Sequence, residues 1–150
     1  MRVARWIAAG FGAGFAPVAA GTVASAVATL IGAGLLWWSQ AALASAALLV
    51  TIGGFWAVRS ARIVGDPGWV VIDEFAGQWI AMLGLAAATP LGLAAAFVLF
   101  RFFDVTKLGP VGWADRRHGA FGVMADDVIA GLFTAAILWG VRWAWPWLLH

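Results

Sequence analysis

No charged side chain occurs between Arg5 and Arg59. Because about a quarter of the residues of a soluble domain are charged, so long an uncharged stretch cannot cover a surface exposed to water. It holds two apolar segments, Thr22 to Trp38 and Ala41 to Val58, which only two polar residues separate. Each approaches the roughly 20 residues that a helix needs to cross a hydrocarbon core about 30 Å thick. The sequence therefore predicts an integral membrane protein.

The composition of the rest of the chain supports the same conclusion. Hydrophobic residues make up 64% and charged residues 11% of the 150 residues, against about 45–50% and about 25% in soluble domains. Three further apolar segments follow: Trp69 to Ala88, Leu91 to Phe103 and Val128 to Leu149. We expect one all-α domain over residues 1–150, a multi-spanning membrane helix bundle of about four to five apolar helical segments. The third and fourth segments could instead form a half-buried hairpin.

The basic residues predict how this bundle is oriented. Cytoplasmic loops of membrane proteins are enriched in Lys and Arg. If the N-terminus is cytoplasmic and the chain crosses five times, every basic residue except Arg142 falls on the cytoplasmic side. We expect no cleavable signal peptide, because Gly-rich sequence follows Arg2 and Arg5 in place of a long apolar core. The net charge of +2 is too small to indicate a nucleic-acid partner, and nothing in the sequence indicates an oligomeric state.

The acidic residues are confined to the middle of the chain. Acidic side chains near a bilayer core are costly, and they tend to be paired, bound to a metal or functional. The predicted topology gathers them into an acidic cluster at the cytoplasmic rim. Neighbouring carboxylates repel each other unless a cation neutralises them, and oxygen ligands without cysteine suit a hard cation such as Mg²⁺. The alternative is that these acids only pair with nearby bases. The seven are Asp66, Asp73, Glu74, Asp104, Asp115, Asp126 and Asp127.

Several basic residues lie beside these acids and could hold a phosphate group. Arg101 lies three residues before Asp104, so both share one helix face. Lys107 and Arg116 can pair with phosphate oxygens. An ordinary topology signal explains these bases equally well.

The starts of two predicted helices supply further candidate residues. Glycine-rich sequence precedes Thr22 and Ser25, and a glycine-rich helix start can offer backbone N–H groups to an anion. The alternative for these small residues is close packing between helices. Asp126 or Asp127 could cap the last helix, and for Asp126 this is as good an interpretation as metal binding.

Three blocks of sequence resemble the bacterial phosphatidylglycerophosphatase A family. They occur in the family's order and extend over nearly the whole chain, and the DEF-x-GQ and FD…DR…G-x-M-x-DD elements are jointly specific. Two loop positions depart from the family pattern: Ala20 replaces a common Pro, and Leu108 replaces the Pro after Lys107. The blocks are GFGAGFAPVAAGTVAS (Gly10 to Ser25), DPGWVVIDEFAGQW (Asp66 to Trp79) and FRFFDVTKLGPVGWADRRHGAFGVMADDVIAG (Phe100 to Gly131).

The resemblance implies a Mg²⁺-dependent phosphatase in the bacterial inner membrane, multi-pass, with its active site facing the cytoplasm. Its reaction would convert phosphatidylglycerophosphate into phosphatidylglycerol and phosphate. Residues and resemblance together assign the catalytic set to Asp73, Glu74, Asp104, Asp115 and Asp127. They assign the metal ligands to Asp73, Glu74, Asp104, Asp126 and Asp127. They assign substrate phosphate binding to Arg101, Lys107, Arg116, Thr22 and Ser25.

Other phosphatase mechanisms do not fit the residues. The chain has no cysteine, no Asp-x-Asp pair and only two histidines, His118 and His150. Hydrolysis assisted by a carboxylate-bound metal therefore remains. Two alternatives stay open: a phosphatase for another lipid phosphate, and a small cation-binding membrane transporter. A transporter would hold its ionisable groups near the middle of the membrane instead of at one rim.

Overall fold

The computed structural model describes residues 2–63, 65, 67–145 and 147, and this part of the chain contains helices and no strands. The prediction of an all-α fold is confirmed. A 3₁₀ helix, Gly10–Phe15, lies between the first two α-helices. Asp66 and the end of the last predicted segment at Leu149 lie outside the described residues. The α-helices are α1 (Arg2–Ala8), α2 (Ala20–Trp38), α3 (Gln40–Ser60), α4 (Ile72–Met82), α5 (Pro90–Thr106), α6 (Pro110–Asp115) and α7 (Gly119–Ala144).

Three of the described helices, α2, α3 and α7, are long and apolar enough to cross a membrane. The sequence predicted four to five such segments. The third and fourth predicted segments instead form shorter helices. The 11 residues of α4 and the 17 of α5 span about 16 Å and about 25 Å at 1.5 Å per residue, less than the hydrocarbon core.

Side-chain and proline signals mark where α3 and α5 begin. The Ser39 hydroxyl accepts a hydrogen bond from the Ala42 backbone N–H at 3.0 Å, which caps α3. The Thr89 hydroxyl accepts one from the Gly92 backbone N–H at 3.2 Å, and Pro90 occupies the first turn of α5. The predicted boundaries at these two turns are accurate because local chemistry determines them.

The short helix α4 lies at the centre of the bundle, in contact with α2, α3, α5 and α7. Most of its side chains are buried, including Ile72, Phe75 and Met82. Apolar residues continue beyond Met82, so hydropathy does not mark the end of α4, and the segment predicted to extend to Ala88 is too long at this end.

Glycines bring the backbones of α4 and α7 into contact. A Cβ atom on Gly77 would lie 2.6 Å from the Asp127 carbonyl oxygen, and one on Gly131 would collide with the Gly77 carbonyl oxygen. Any larger side chain at either position would push the two helices apart. This close approach holds the first turn of α4 beside the middle of α7.

Replacing Gly131 by alanine is therefore expected to lower the free energy of unfolding by about 1–3 kcal/mol, because an added methyl group overpacks the contact. Gly140 lies on the same helix with nothing within 4 Å of the added Cβ position. Gly140→Ala is the matched control, expected to be neutral or to stabilise by up to about 1 kcal/mol through helix propensity. Thermal unfolding in detergent measures both. Equal effects of the two variants would show that the contact is not tight.

The start of α7 differs from the prediction. The helix begins at Gly119 with His118 as the residue before it, and not at Val128. Asp126 and Asp127 therefore lie inside the helix, and the interpretation of Asp126 as an N-cap is wrong. The turns before them are helical because Val123 and Met124 are buried against the core. The predicted long polar connection contains α6 and the first two turns of α7.

Candidate active site

Five buried or nearly buried carboxylates from three helices meet at one place. Asp73 and Glu74 occupy the first turn of α4, Asp104 the last turn of α5, and Asp126 and Asp127 the third turn of α7. One carboxylate oxygen from each of Asp73, Glu74 and Asp127 lies within 4.8 Å of the others. The same holds for Asp104, Asp126 and Asp127. Asp127 thus joins two overlapping groups, which we call the carboxylate cluster.

Two oxygen atoms of the carboxylate cluster lack a hydrogen-bond partner within the described part of the chain. Glu74 Oε2 and Asp126 Oδ1 are buried without a hydrogen-bond partner among the described residues. An ionised carboxylate without a partner is costly to bury. Burial, together with the charge of Asp104, raises the pKa of the Glu74 carboxyl group, and the hydrogen bond with Asp73 only partly offsets this. A cation bound in the cluster would remove both the repulsion and the unsatisfied oxygens.

Arg101 of α5 is the first of two bases at the cluster. Its Nη1 atom donates to Asp104 Oδ2 and lies 4.0 Å from Glu74 Oε1. The pairing of Arg101 with Asp104 confirms the predicted shared helix face. One guanidinium thereby joins carboxylates from two helices and keeps donors available on its open side.

Lys107 is the second base, and it ends α5 in a left-handed backbone conformation with a φ angle of 50°. Its Nζ atom lies 3.1 Å from Asp104 Oδ1 and 3.5 Å from Asp115 Oδ1, and it donates to Asp126 Oδ2. Burial alone would lower the pKa of Lys107. The bond to Asp126 and the charges of Asp126, Asp127 and Asp104 outweigh burial and raise this pKa. Lys107 therefore stays positively charged.

A cavity of about 410 Å³ opens beside the cluster. It is lined by the charged residues Glu74, Arg101, Asp104 and Lys107 and by residues 19–22 at the start of α2. The first helical turn of α2 has no side-chain cap, so its backbone N–H groups can serve an anion.

Two residues at the start of α2 fit this cavity. The Thr22 side chain is exposed and lines the cavity. At Gly21 a Cβ atom would collide with Glu74 Oε1 and lie 3.4 Å from Arg101 Nη1. Only glycine lets α2 approach these charges, which explains why a glycine precedes Thr22.

The structure does not bring every predicted site residue into this cavity. Ser25 is buried, and its hydroxyl donates to the Gly21 carbonyl oxygen at 2.8 Å inside its own helix. Arg116 is exposed and lines a separate cavity of about 370 Å³ with Arg117. Asp115 lies at the edge, 43% exposed at its side chain, and reaches the cluster through Lys107.

The sequence alone assigns no functional role to two residues near the site. Gly21 became apparent only from its contact with Glu74, which no local pattern predicts. Gln78 follows Glu74 by one helical turn and is fully buried, and neither its Oε1 nor its Nε2 atom has a hydrogen-bond partner among the described residues. The sequence feature that indicates Gln78 is its position as a polar residue within an apolar segment.

Comparison with known proteins gives consistent matches over nearly the whole chain. The model of the family described as Phosphatidylglycerophosphatase A matches residues 6–142. A phosphatidylglycerophosphatase A of Escherichia coli is 37% identical over 145 residues, which are 93% of this chain and 84% of the relative. One of Haemophilus influenzae is 32% identical over 148 residues, 95% of this chain and 89% of the relative.

A third relative has a different name. A protein of Bacteroides thetaiotaomicron that carries the provisional name of a phosphatidylinositol-3-phosphatase is 36% identical over 149 residues, 91% of this chain and 92% of the relative. No solved structure gives a significant match.

Proposed function

Because the chain belongs to the phosphatidylglycerophosphatase A family and is therefore a phosphatase, we propose that it hydrolyses phosphatidylglycerophosphate to phosphatidylglycerol and phosphate. The observation that carries this proposal is the carboxylate cluster, two of whose members, Glu74 and Asp104, line one cavity with Arg101 and Lys107. The cluster offers oxygen ligands for a cation, and the bases offer donors for a phosphate. A phosphomonoester with its metal ion requires both.

Mg²⁺ fits the donor set at the cluster. The ligands that would hold it are the side-chain oxygens of Asp73, Glu74, Asp104, Asp126 and Asp127, which are the hard oxygen donors that this ion prefers. The unsatisfied oxygens of Glu74 and Asp126 support the assignment. Bound there, Mg²⁺ would supply Lewis-acid polarisation of the phosphate and lower the pKa of a water molecule.

Side chains on the cavity wall supply further interactions that hydrolysis requires. Arg101 and Thr22 lie on the cavity wall, where they can donate hydrogen bonds to the phosphate oxygens. Lys107 is paired with its carboxylate partners and contributes positive charge to the cavity wall. The oxygen of a water molecule attacks phosphorus and the ester P–O bond breaks. One proton of that water passes to the alcohol oxygen of the glycerol headgroup, and the other stays with the phosphate released.

The direct test is phosphate release by the purified protein from a set of lipid phosphates, with Mg²⁺ and with EDTA. We expect the highest kcat/KM for phosphatidylglycerophosphate and no turnover in EDTA.

The relative from Bacteroides supports a second candidate substrate, phosphatidylinositol 3-phosphate. A higher kcat/KM for that lipid would replace the proposed substrate, and full activity in EDTA would refute the metal. Transport of a cation is not favoured, because the family consists of phosphatases.

The chain is a membrane protein, as its three apolar helices and its family indicate. We propose that it is a multi-pass protein of the bacterial inner membrane whose carboxylate cluster faces the cytoplasm, since nearly all basic residues lie at that end. The apolar faces exposed on α2 and α3, such as Leu30, Leu49 and Ile52, would contact lipid.

This orientation predicts the accessibility of single cysteines introduced into the cysteine-free chain. Ser39, between α2 and α3, is expected to react with an impermeant thiol reagent from the periplasmic side. Gly119, at the start of α7, is expected to react only after the membrane is opened. Both positions are exposed, so poor access does not explain a negative result. Labelling of both from the same side would contradict the proposed topology.

A further inference from the structure

The amide of Gln78 is the least satisfied polar group among the described residues of the bundle interior. The side chain has no exposed surface, and its acceptor and its donors all lack a partner among the described residues. An unsatisfied buried amide costs about 1–3 kcal/mol. An apolar residue of the same size would avoid this cost, so the amide needs a role that offsets it.

The neighbours of Gln78 place it directly below the carboxylate cluster. Glu74 lies one helical turn before it on the same face, about 5–6 Å away between Cβ atoms. Gly77, the residue before it, packs against the Asp127 carbonyl oxygen, and the indole of Trp79, the residue after it, donates to the Ala28 carbonyl oxygen at 2.8 Å. Gln78 is thus fixed between α2 and α7, deeper in the bundle than the carboxylates.

The unsatisfied atoms of Gln78 and Glu74 match each other chemically. Glu74 Oε2 is a buried acceptor without a partner, and Gln78 Nε2 is a buried donor without a partner. The two do not bond directly, yet a separation of one helical turn suits a bridge through one water molecule, which needs two to four polar partners. Gln78 Oε1 and Nε2 together with Glu74 Oε2 supply three.

We propose that Gln78 is a positioning residue, which binds a buried water below the cluster and through it orients the Glu74 carboxylate toward the cation and the cavity. This inference rests on the proposed phosphatase function. Removing a residue that orients a metal ligand through hydrogen bonds typically lowers metal affinity or activity by about 10–100-fold.

Gln78→Met tests the proposal because it keeps the side-chain volume and removes the polar atoms. In metal-free protein we expect its unfolding temperature to stay within about 6 °C of the wild type, because the side-chain volume is kept. We also expect kcat to fall by about 10–100-fold and Mg²⁺ affinity to fall about tenfold. KM for the lipid should stay within about threefold, because Gln78 does not touch the substrate. Gln78→Asn keeps the amide and should recover part of kcat.

Thr134→Val is the matched control. Thr134 is a fully buried polar residue on α7, but its hydroxyl already donates to the Ala130 carbonyl oxygen at 2.9 Å. Its replacement should leave kcat and Mg²⁺ affinity unchanged. A lower unfolding temperature of Gln78→Met with unchanged kcat and Mg²⁺ affinity would overturn the proposal, as would equal losses of activity in the control.

The same measurements separate this inference from the proposed function. Wild-type protein that releases no phosphate from any lipid phosphate would refute the function. The unfolding temperature and the Mg²⁺ affinity, measured as Mg²⁺-dependent thermal stabilisation, would still decide the role of Gln78. Active wild type with an equally active Gln78→Met variant would refute the positioning role alone.

Discussion

Asp127→Asn is expected to reduce phosphate release by about 100- to 1,000-fold, the scale lost when a main electrostatic contributor to the transition state is removed. Asp127 belongs to both groups of the carboxylate cluster, and only 3% of it is exposed. Asparagine preserves its size while removing the charge. Among the five cluster carboxylates, Asp127 alone belongs to both groups, so this substitution removes a ligand from each of them.

Stability measurements decide whether this loss comes from metal binding or from misfolding. In metal-free protein Asp127→Asn should be at least as stable as the wild type, because it relieves repulsion among buried carboxylates. Mg²⁺ should raise the unfolding temperature of the wild type and not of the variant. Asp115→Asn should cost less activity, because Asp115 reaches the cluster only through Lys107. An Asp127→Asn enzyme that still shows Mg²⁺-dependent turnover would refute the assignment.

Arg101→Gln is expected to lower kcat/KM by about 10–100-fold, the equivalent of the roughly 1.5–3 kcal/mol of a hydrogen bond to a charged group. Arg101 lines the cavity and lies beside Glu74 and Asp104. Its loss should mainly raise KM, with a lower kcat only if the guanidinium also serves the transition state. Arg101→Lys should recover part of the loss, because lysine keeps the charge without the planar pair of donors.

Inhibition of the wild type and of Arg101→Gln tests whether the Arg101 side chain binds the terminal phosphate. A non-hydrolysable phosphonate analogue should inhibit the wild type more strongly than the product phosphatidylglycerol, which lacks that group. Arg101→Gln should lose most of this difference. Arg142→Gln, at the far end of α7, should keep it. Equal inhibition of the wild type by both lipids would show that this half of the site is assigned wrongly.

The sequence predicts α2 and α3 closely, since an uncharged stretch bounded by arginines and divided by Ser39 leaves little freedom for helix ends. It fails for α4 because hydropathy does not fall beyond Met82, where tertiary contacts end the helix. It fails for the start of α7 because the Asp126-Asp127 pair has the composition of a loop. Lys107 gives Asp126 a partner inside the bundle, and this partner is remote in sequence.

Residue type and spacing predict the five carboxylates that the fold brings together, but not every other residue beside them. Acids are so rare in this chain that each one is informative. Hydroxyls and bases have several common roles, and only the packing of α2 and α5 shows that Thr22 and Arg101 face the cavity while Ser25 does not. The need for Gly21 follows from the position of Glu74, which lies in another helix.

The backbone contact between Gly77 and Gly131 has a consequence for biogenesis. A ribosome delivers α4 to the membrane before α7, so Asp73 and Glu74 enter a half-built bundle that lacks the partners they later acquire. Until α7 docks, Asp73 and Glu74 lack the neighbouring Asp127, and Gly77 lacks the Gly131 backbone that packs against it. The carboxylate cluster is therefore complete only after the last described helix has packed against α4, so its geometry forms late in synthesis.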